Sequence, residues 1–161
     1  MKVITRRAMS SDGAAVADLY VRARRAASAA GTIPPPVHDD EDVCGWVTNV
    51  VIPRLECWLA EAVSGTLVGM LVLDADWIDQ LYVEPDLMGA GIGTELIGVA
   101  KRERPDGLRL WTFVSNGGAQ RFYLRHGFQE VERTDGSCNE EHAPDIQYLW
   151  RPHKRIGSSR L

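Results

Sequence analysis

No stretch of this 161-residue chain approaches the ~20 consecutive apolar residues that a membrane-crossing helix needs, so a helical membrane protein is not expected. The opening segment, Met1-Lys2-Val3-Ile4-Thr5-Arg6-Arg7, lacks the apolar centre of a secretory signal. Cysteine is sparse and odd in number: Cys44, Cys57 and Cys138 stand far apart and form no Cys-x-x-Cys pair. That argues against a disulfide framework and against a zinc or other metal site, and for idle or buried thiols in a reducing cytoplasm. Positive charge is not in excess either. A formal net charge of −4 is the wrong sign for a general nucleic-acid surface and weakly suits a cationic substrate. No internal repeat or composition break marks a second domain. Residues 1–151 are read as one domain, and 152–161, basic and Ser/Gly-containing, as a loose tail.

What is present is concentrated between Ile78 and Arg102. Ile78-Asp79-Gln80-Leu81-Tyr82-Val83 is a short apolar run of strand type, which Pro85 ends because it has no N–H for a ladder. Gly89, Gly91 and Gly93 then stand at alternate positions, permitting a tight turn and close approach of a ligand to the backbone. Ile92, Leu96, Val99 and Ala100 recur at helical spacing, and Pro105-Asp106-Gly107 closes the helix. A strand, a glycine loop and a helix start make an anion site, since first-turn amides lack intrahelical partners and the helix dipole is positive there. The mononucleotide loop is set aside because no lysine stands in or just after the glycines. The dinucleotide loop is set aside by the spacing Gly89-x-Gly91-x-Gly93 and by the lack of an acid between Trp111 and Phe113.

With its Leu81-Tyr82-Val83-x-Pro85 lead-in, the loop resembles the coenzyme A loop of the GNAT superfamily, the acetyl-CoA-dependent N-acetyltransferases. Met88-Gly89-Ala90-Gly91-Ile92-Gly93 keeps the family's glycines and has Met88 where the family has Arg or Gln. A second stretch, Asn116-x-x-Ala119-x-x-Phe122-Tyr123-x-x-x-Gly127-Phe128, is similar to another element of that family at every fixed position. The two stand in the family's order.

The remaining segments are compatible. Lys2–Arg7 reads as a strand, Ser10-Ser11-Asp12 as a cap, and Val16, Leu19, Tyr20 and Ala23 as the inner face of a helix whose Arg22, Arg24 and Arg25 are solvated. Residues 31–38 form a proline-stiffened loop, and Asp39 or Asp40 caps a second helix expected to end by Pro53. Residues 57–62, 66–73 and 77 onward are strands joined by tight turns, an antiparallel meander. Leu108–Val114 follows the central helix as a parallel strand, then a helix capped by Ser115 or Asn116, then strands after Phe128 and from Asp145. The resemblance implies a GNAT-like α/β (α+β) fold. Its mixed, mostly antiparallel sheet has about six to seven strands with a splayed parallel pair, flanked by about four helices.

The same resemblance implies direct transfer of an acetyl group from acetyl-CoA to a primary amine in a ternary complex, with a homodimer as a common family arrangement. Backbone from Met88, Gly89, Ala90, Gly91, Ile92, Gly93 and Thr94 would hold the diphosphate. Leu81, Tyr82 and Val83 would bind the pantetheine arm and polarise the acetyl carbonyl, and Asn116 would meet the pantetheine side. Tyr123 corresponds to the acid that stabilises the departing thiolate; from its helix alone a core tyrosine is the preferred reading, and the matching residues around it favour the acid. Asp79 is a candidate base, preferred to Glu84, with a strand Asp bonded to its surroundings as the alternative. His38 and Asp39 lie in the segment that borders the acceptor groove, though a solvated or locally bonded His38 is the preferred reading. A small-molecule acceptor is favoured over a protein. A non-catalytic acyl-CoA-binding domain of the same fold is the alternative: Met88 favours it, while Tyr123 and Asn116 oppose it.

Overall fold

A computed structural model describes residues 1–153. All but the first two positions of the expected C-terminal tail lie outside the described residues. The strands are β1 (Val3–Arg7), β2 (Glu56–Ala62), β3 (Leu67–Asp74), β4 (Trp77–Val83), β5 (Leu108–Phe113), β6 (Gln129–Thr134) and β7 (Asp145–Trp150). The helices are α1 (Gly13–Ala29), α2 (Asp40–Trp46), α3 (Ile52–Arg54), α4 (Ile92–Glu103) and α5 (Gly117–Arg125). A π turn, Val47–Val51, joins α2 to α3, so four helical rods flank the sheet.

The seven strands pair in the order β1-β2-β3-β4-β5-β7-β6, antiparallel except for β4 with β5. Alternation along β3 explains its central place. Met70 and Val72 turn to one face, where Val16, Ala17 and Leu19 of α1 cover them. Leu71 and Leu73 turn to the other, against Ile92, Leu96 and Ala100 of α4. Cys57 is packed under α1, and burial pushes its thiol pKa up to about 12, so it is inert there.

Two irregularities shape the centre of the sheet. Leu73 pairs with Ile78 but Val72 with Gln80, so Asp79 is the extra residue of a bulge in β4. The parallel pair then parts almost at once: Trp77↔Arg109 is the single register pair of β4 with β5. The Trp77 and Trp111 rings stack at 6.4 Å where the strands begin to diverge.

The second helix ends close to where expected: α2 stops at Trp46, and its continuation through the π turn and α3 ends at Arg54, one residue past Pro53. One local expectation is corrected. Asp12 occupies the N-cap position of α1 without capping it. Its carboxylate turns back to accept from the Met9 N–H at 2.7 Å and from Arg6 at 2.8 and 3.0 Å, since a bidentate guanidinium outbids one amide.

Candidate functional site

The glycine loop lies between the 3-10 turn Pro85–Leu87 and α4. Gly89 and Gly91 have φ of +84° and +89°, left-handed values that side chains resist, and nothing lies within 4 Å of where a Cβ would stand. Gly93 serves packing instead. A Cβ there would meet the Phe122 ring at 3.1 Å, so this glycine lets α5 approach the first turn of α4.

The Ala90 N–H donates to the Leu87 carbonyl at 3.2 Å and is consumed by the turn. Among the described residues, the N–H groups of Gly89, Gly91, Ile92, Gly93 and Thr94 have no backbone acceptor; the first intrahelical bond is that of Glu95 to Gly91. These amides stand at the positive end of a 12-residue helix, which suits an anion such as a diphosphate. The Ile92 side chain is buried, leaving only its backbone for a ligand, and Met88 is 76% exposed.

Upstream, the Glu84 N–H bonds to Val68 on β3 at 2.8 Å. Alternation therefore turns the backbone of Tyr82 toward β3 and that of Leu81 and Val83 toward β5. β5 has diverged by then, so Leu81 and Val83 present peptide groups to an open gap. An extended chain entering that gap finds free strand-edge groups. Asn116 caps α5, its Oδ1 accepting from the Ala119 N–H at 3.1 Å, which leaves its amide nitrogen for any ligand.

Tyr123 is 8% exposed and packed among Phe122, Phe128 and Tyr148. Its hydroxyl has no partner among the described residues, yet it is not sealed from solvent. Burial, reinforced by Tyr82, pushes its pKa well above the ordinary value of 10. The phenol therefore keeps its proton at neutral pH and can donate it.

A cavity of about 750 Å³ opens on the α1 side of the sheet. Asp79 and Gln80 of β4 line its floor, Tyr20 and Arg24 of α1 and Trp46 of α2 one wall, and His38, Glu140 and Glu141 the rim. Loss of hydration raises the Asp79 pKa; the Gln80 amide at 3.4 Å opposes the shift and nearby Asp74 adds to it. Glu84 is tied to Arg22 at 2.6 Å. His38, exposed as expected, bonds Glu140 at 3.0 Å and thereby joins the proline loop to the loop between β6 and β7. Asp39 does not line the cavity; it caps α2 through the Asp42 N–H.

Sequence reading missed Arg24. Expected on a solvated face, it is 13% exposed, donates to the Tyr82 hydroxyl at 3.1 Å, lies over the Tyr20 ring and faces Glu141 at 3.6 Å. The available signal was its i,i+4 relation to Tyr20, which puts it beside the apolar face rather than opposite it.

Residues 53–130 match the family described as the Acetyltransferase (GNAT) domain. An uncharacterized N-acetyltransferase of Methanocaldococcus jannaschii, MJ1207, is 37% identical over 89 residues, covering 46% of this chain and 39% of its own length. The peptidyl-lysine N-acetyltransferase YjaB of Escherichia coli is 30% identical over 86 residues, covering 52% of this chain and 56% of its own length. The matched stretch thus spans about half the length of these curated relatives, or less. The apo solution structure of YjaB superposes with a TM-score of 0.74 at 21% identity, over 93% of this chain and 98% of that one. The PaiA N-acetyltransferase of Thermoplasma acidophilum, solved in complex with coenzyme A, superposes with a TM-score of 0.69 at 21% identity, over 94% and 100% of the two chains.

Proposed function

We propose that this chain, which belongs to the GNAT superfamily, is an acetyl-CoA-dependent N-acetyltransferase that passes the acetyl group directly to a primary amine within a ternary complex. The observation that carries this reading is the continuity of β4. Asp79 and Gln80 border the cavity, Leu81 and Val83 offer free peptide groups to the gap beside β5, and the chain then enters the open glycine loop.

Acetyl-CoA supplies the activated thioester. The free amides of Gly89, Gly91, Ile92, Gly93 and Thr94 hold its diphosphate, and Leu81 and Val83 pair with its pantetheine arm, an N–H polarising the acetyl carbonyl. Asp79 accepts a proton from the ammonium form of the acceptor, so that a neutral amine attacks the carbonyl carbon. The carbon–nitrogen bond forms as the carbon–sulfur bond breaks, and the acylated nitrogen gives up its second proton to solvent. Tyr123 donates its proton to the departing sulfur and regains one from solvent.

The acceptor is a small cationic amine. Asp79, Asp74, Asp42 and Glu140 give the cavity a negative lining, and 750 Å³ is the size of a small-molecule site. A peptidyl lysine is the second reading, favoured by the similarity to YjaB.

A panel of mono- and diamines, amino acids and lysine-containing peptides, incubated with acetyl-CoA while free thiol is measured, tests the reading. Amine-dependent thiol release is expected, fastest with a small amine. Acetyl-CoA binding without release for any amine would make the chain a non-catalytic acyl-CoA-binding domain.

A further inference from the structure

His126 sits where the two family motifs meet. It follows α5 as its C-cap residue, its N–H bonding the carbonyls of Phe122 at 3.2 Å and Tyr123 at 3.1 Å. Its ring lies against the Phe122 ring at 4.6 Å, and Phe122 in turn packs on Gly93. The Nε2 is 3.2 Å from the Thr94 Oγ1, in the first turn of α4. The half-buried imidazole is thus fixed, with one nitrogen on a hydroxyl beside the free amides of the glycine loop.

We infer that His126 belongs to the cofactor's phosphate cradle and takes up a proton when those phosphates settle on the first turn of α4. The inference rests on the cofactor reading above and adds a pH dependence to it. The charged groups around the ring are cationic: Lys101 of α4, whose Nζ donates to the His126 carbonyl at 2.6 Å, and Arg125 of α5. Burial, then Lys101 and Arg125, lower the His126 pKa in the free protein, so the ring is neutral at pH 7. A diphosphate at Gly91–Thr94 reverses the sign of the nearby charge. The imidazolium is then favoured, with Nε2 donating to the Thr94 oxygen and the Thr94 hydroxyl free to donate to phosphate. By linkage, binding strengthens as pH falls through the bound-state pKa and levels off below the free-state one. The change is about tenfold for each unit by which the bound pKa exceeds the free value. No proton is exchanged above both.

Dephospho-CoA is the appropriate probe, because the 3′-phosphate monoester of coenzyme A itself titrates near pH ~6 and would mask the ring. Calorimetry at pH 6.5 in two buffers of different ionisation heat is expected to show proton uptake by the wild type. None is expected for His126→Gln, whose amide retains a bond to Thr94 but cannot titrate. The affinity of the variant is expected to be flat between pH 6 and 8. On the wild type alone, the NMR titration of the His126 ring is expected to move to higher pH on adding dephospho-CoA, whether or not the variant folds. Equal uptake by wild type and variant, or an unmoved ring titration in a saturated complex, overturns the role of His126 and leaves the cofactor site standing. Absence of binding to both coenzyme A and dephospho-CoA overturns the site and the inference with it.

Discussion

The Arg22 guanidinium holds the Glu84 carboxylate at 2.6 Å and pairs on its other side with Asp18. Of the two acids considered as base, one is thereby occupied. Asp79 has no cationic partner among the described residues and lines the cavity from its bulge. Asp79→Asn is expected to lower kcat/KM on the order of 10²-fold, the scale of a lost general base. Loss of hydration raises the Asp79 pKa, so the acidic limb of the wild-type profile should lie above the usual aspartate range near ~3.9. Activity falls as pH drops through that value, and the variant should lack the limb. A variant with the wild-type rate and an unchanged limb would assign proton removal to water or another group.

Tyr123→Phe keeps the ring contacts with Phe128 and Tyr148 and deletes one unpartnered hydroxyl. Thermal stability should change little. If the phenol protonates the thiolate, kcat should fall on the order of 10²-fold at constant coenzyme A affinity. Steady-state kinetics with a good acceptor decides the matter: equal kcat values would return Tyr123 to a packing role.

Gly91→Glu puts a side chain and a negative charge into the open face of the loop, at a φ of +89°. Local strain on the order of 1–2 kcal/mol is expected, within what a folded domain tolerates. Acetyl-CoA binding should be lost while the melting transition remains cooperative. Calorimetry that finds unchanged affinity in the folded variant removes the loop from the cofactor site.

Arg6 grips Asp12 with two bonds and Glu61 with a third at 2.5 Å, linking β1 and β2 to the start of α1. The bond from Arg6 holds the Asp12 pKa below its ordinary value. A depressed folded-state pKa means stabilisation that is complete above the unfolded value near ~3.9 and is lost as pH falls through the folded one. Asp12→Asn should therefore melt at lower temperature than wild type at pH 7, with the gap closing as pH falls toward 3. A gap that stays constant over that range would refute the ionic account.

The two motifs were legible because their physics is local. The positive φ at Gly89 and Gly91, the Asn116 cap, the left-handed Gly127 and the helical spacing of Ile92, Leu96 and Ala100 are set by neighbours within a few residues. The strands and their order of direction followed from alternation and from the length of each connection. Arg24 was not legible, because the Tyr82 hydroxyl that draws it inward lies 58 positions away. His38 and Glu140 meet across 102 positions, and neither loop carries a mark of the other.

From the sequence alone came the strand, the glycine loop and the helix start, which rest on short-range backbone geometry and periodicity, while the fold class and the candidate acid Tyr123 came from the resemblance that the two motifs carry. The tertiary structure decided which amides of the loop stay free, which peptide edges face the gap, that Asp79 is the bulged residue, and which side chains wall the cavity. These depend on strand register and on how two faces of helices pack. A shift of one residue in the pairing of β3 with β4 would turn Asp79 elsewhere without altering any local preference.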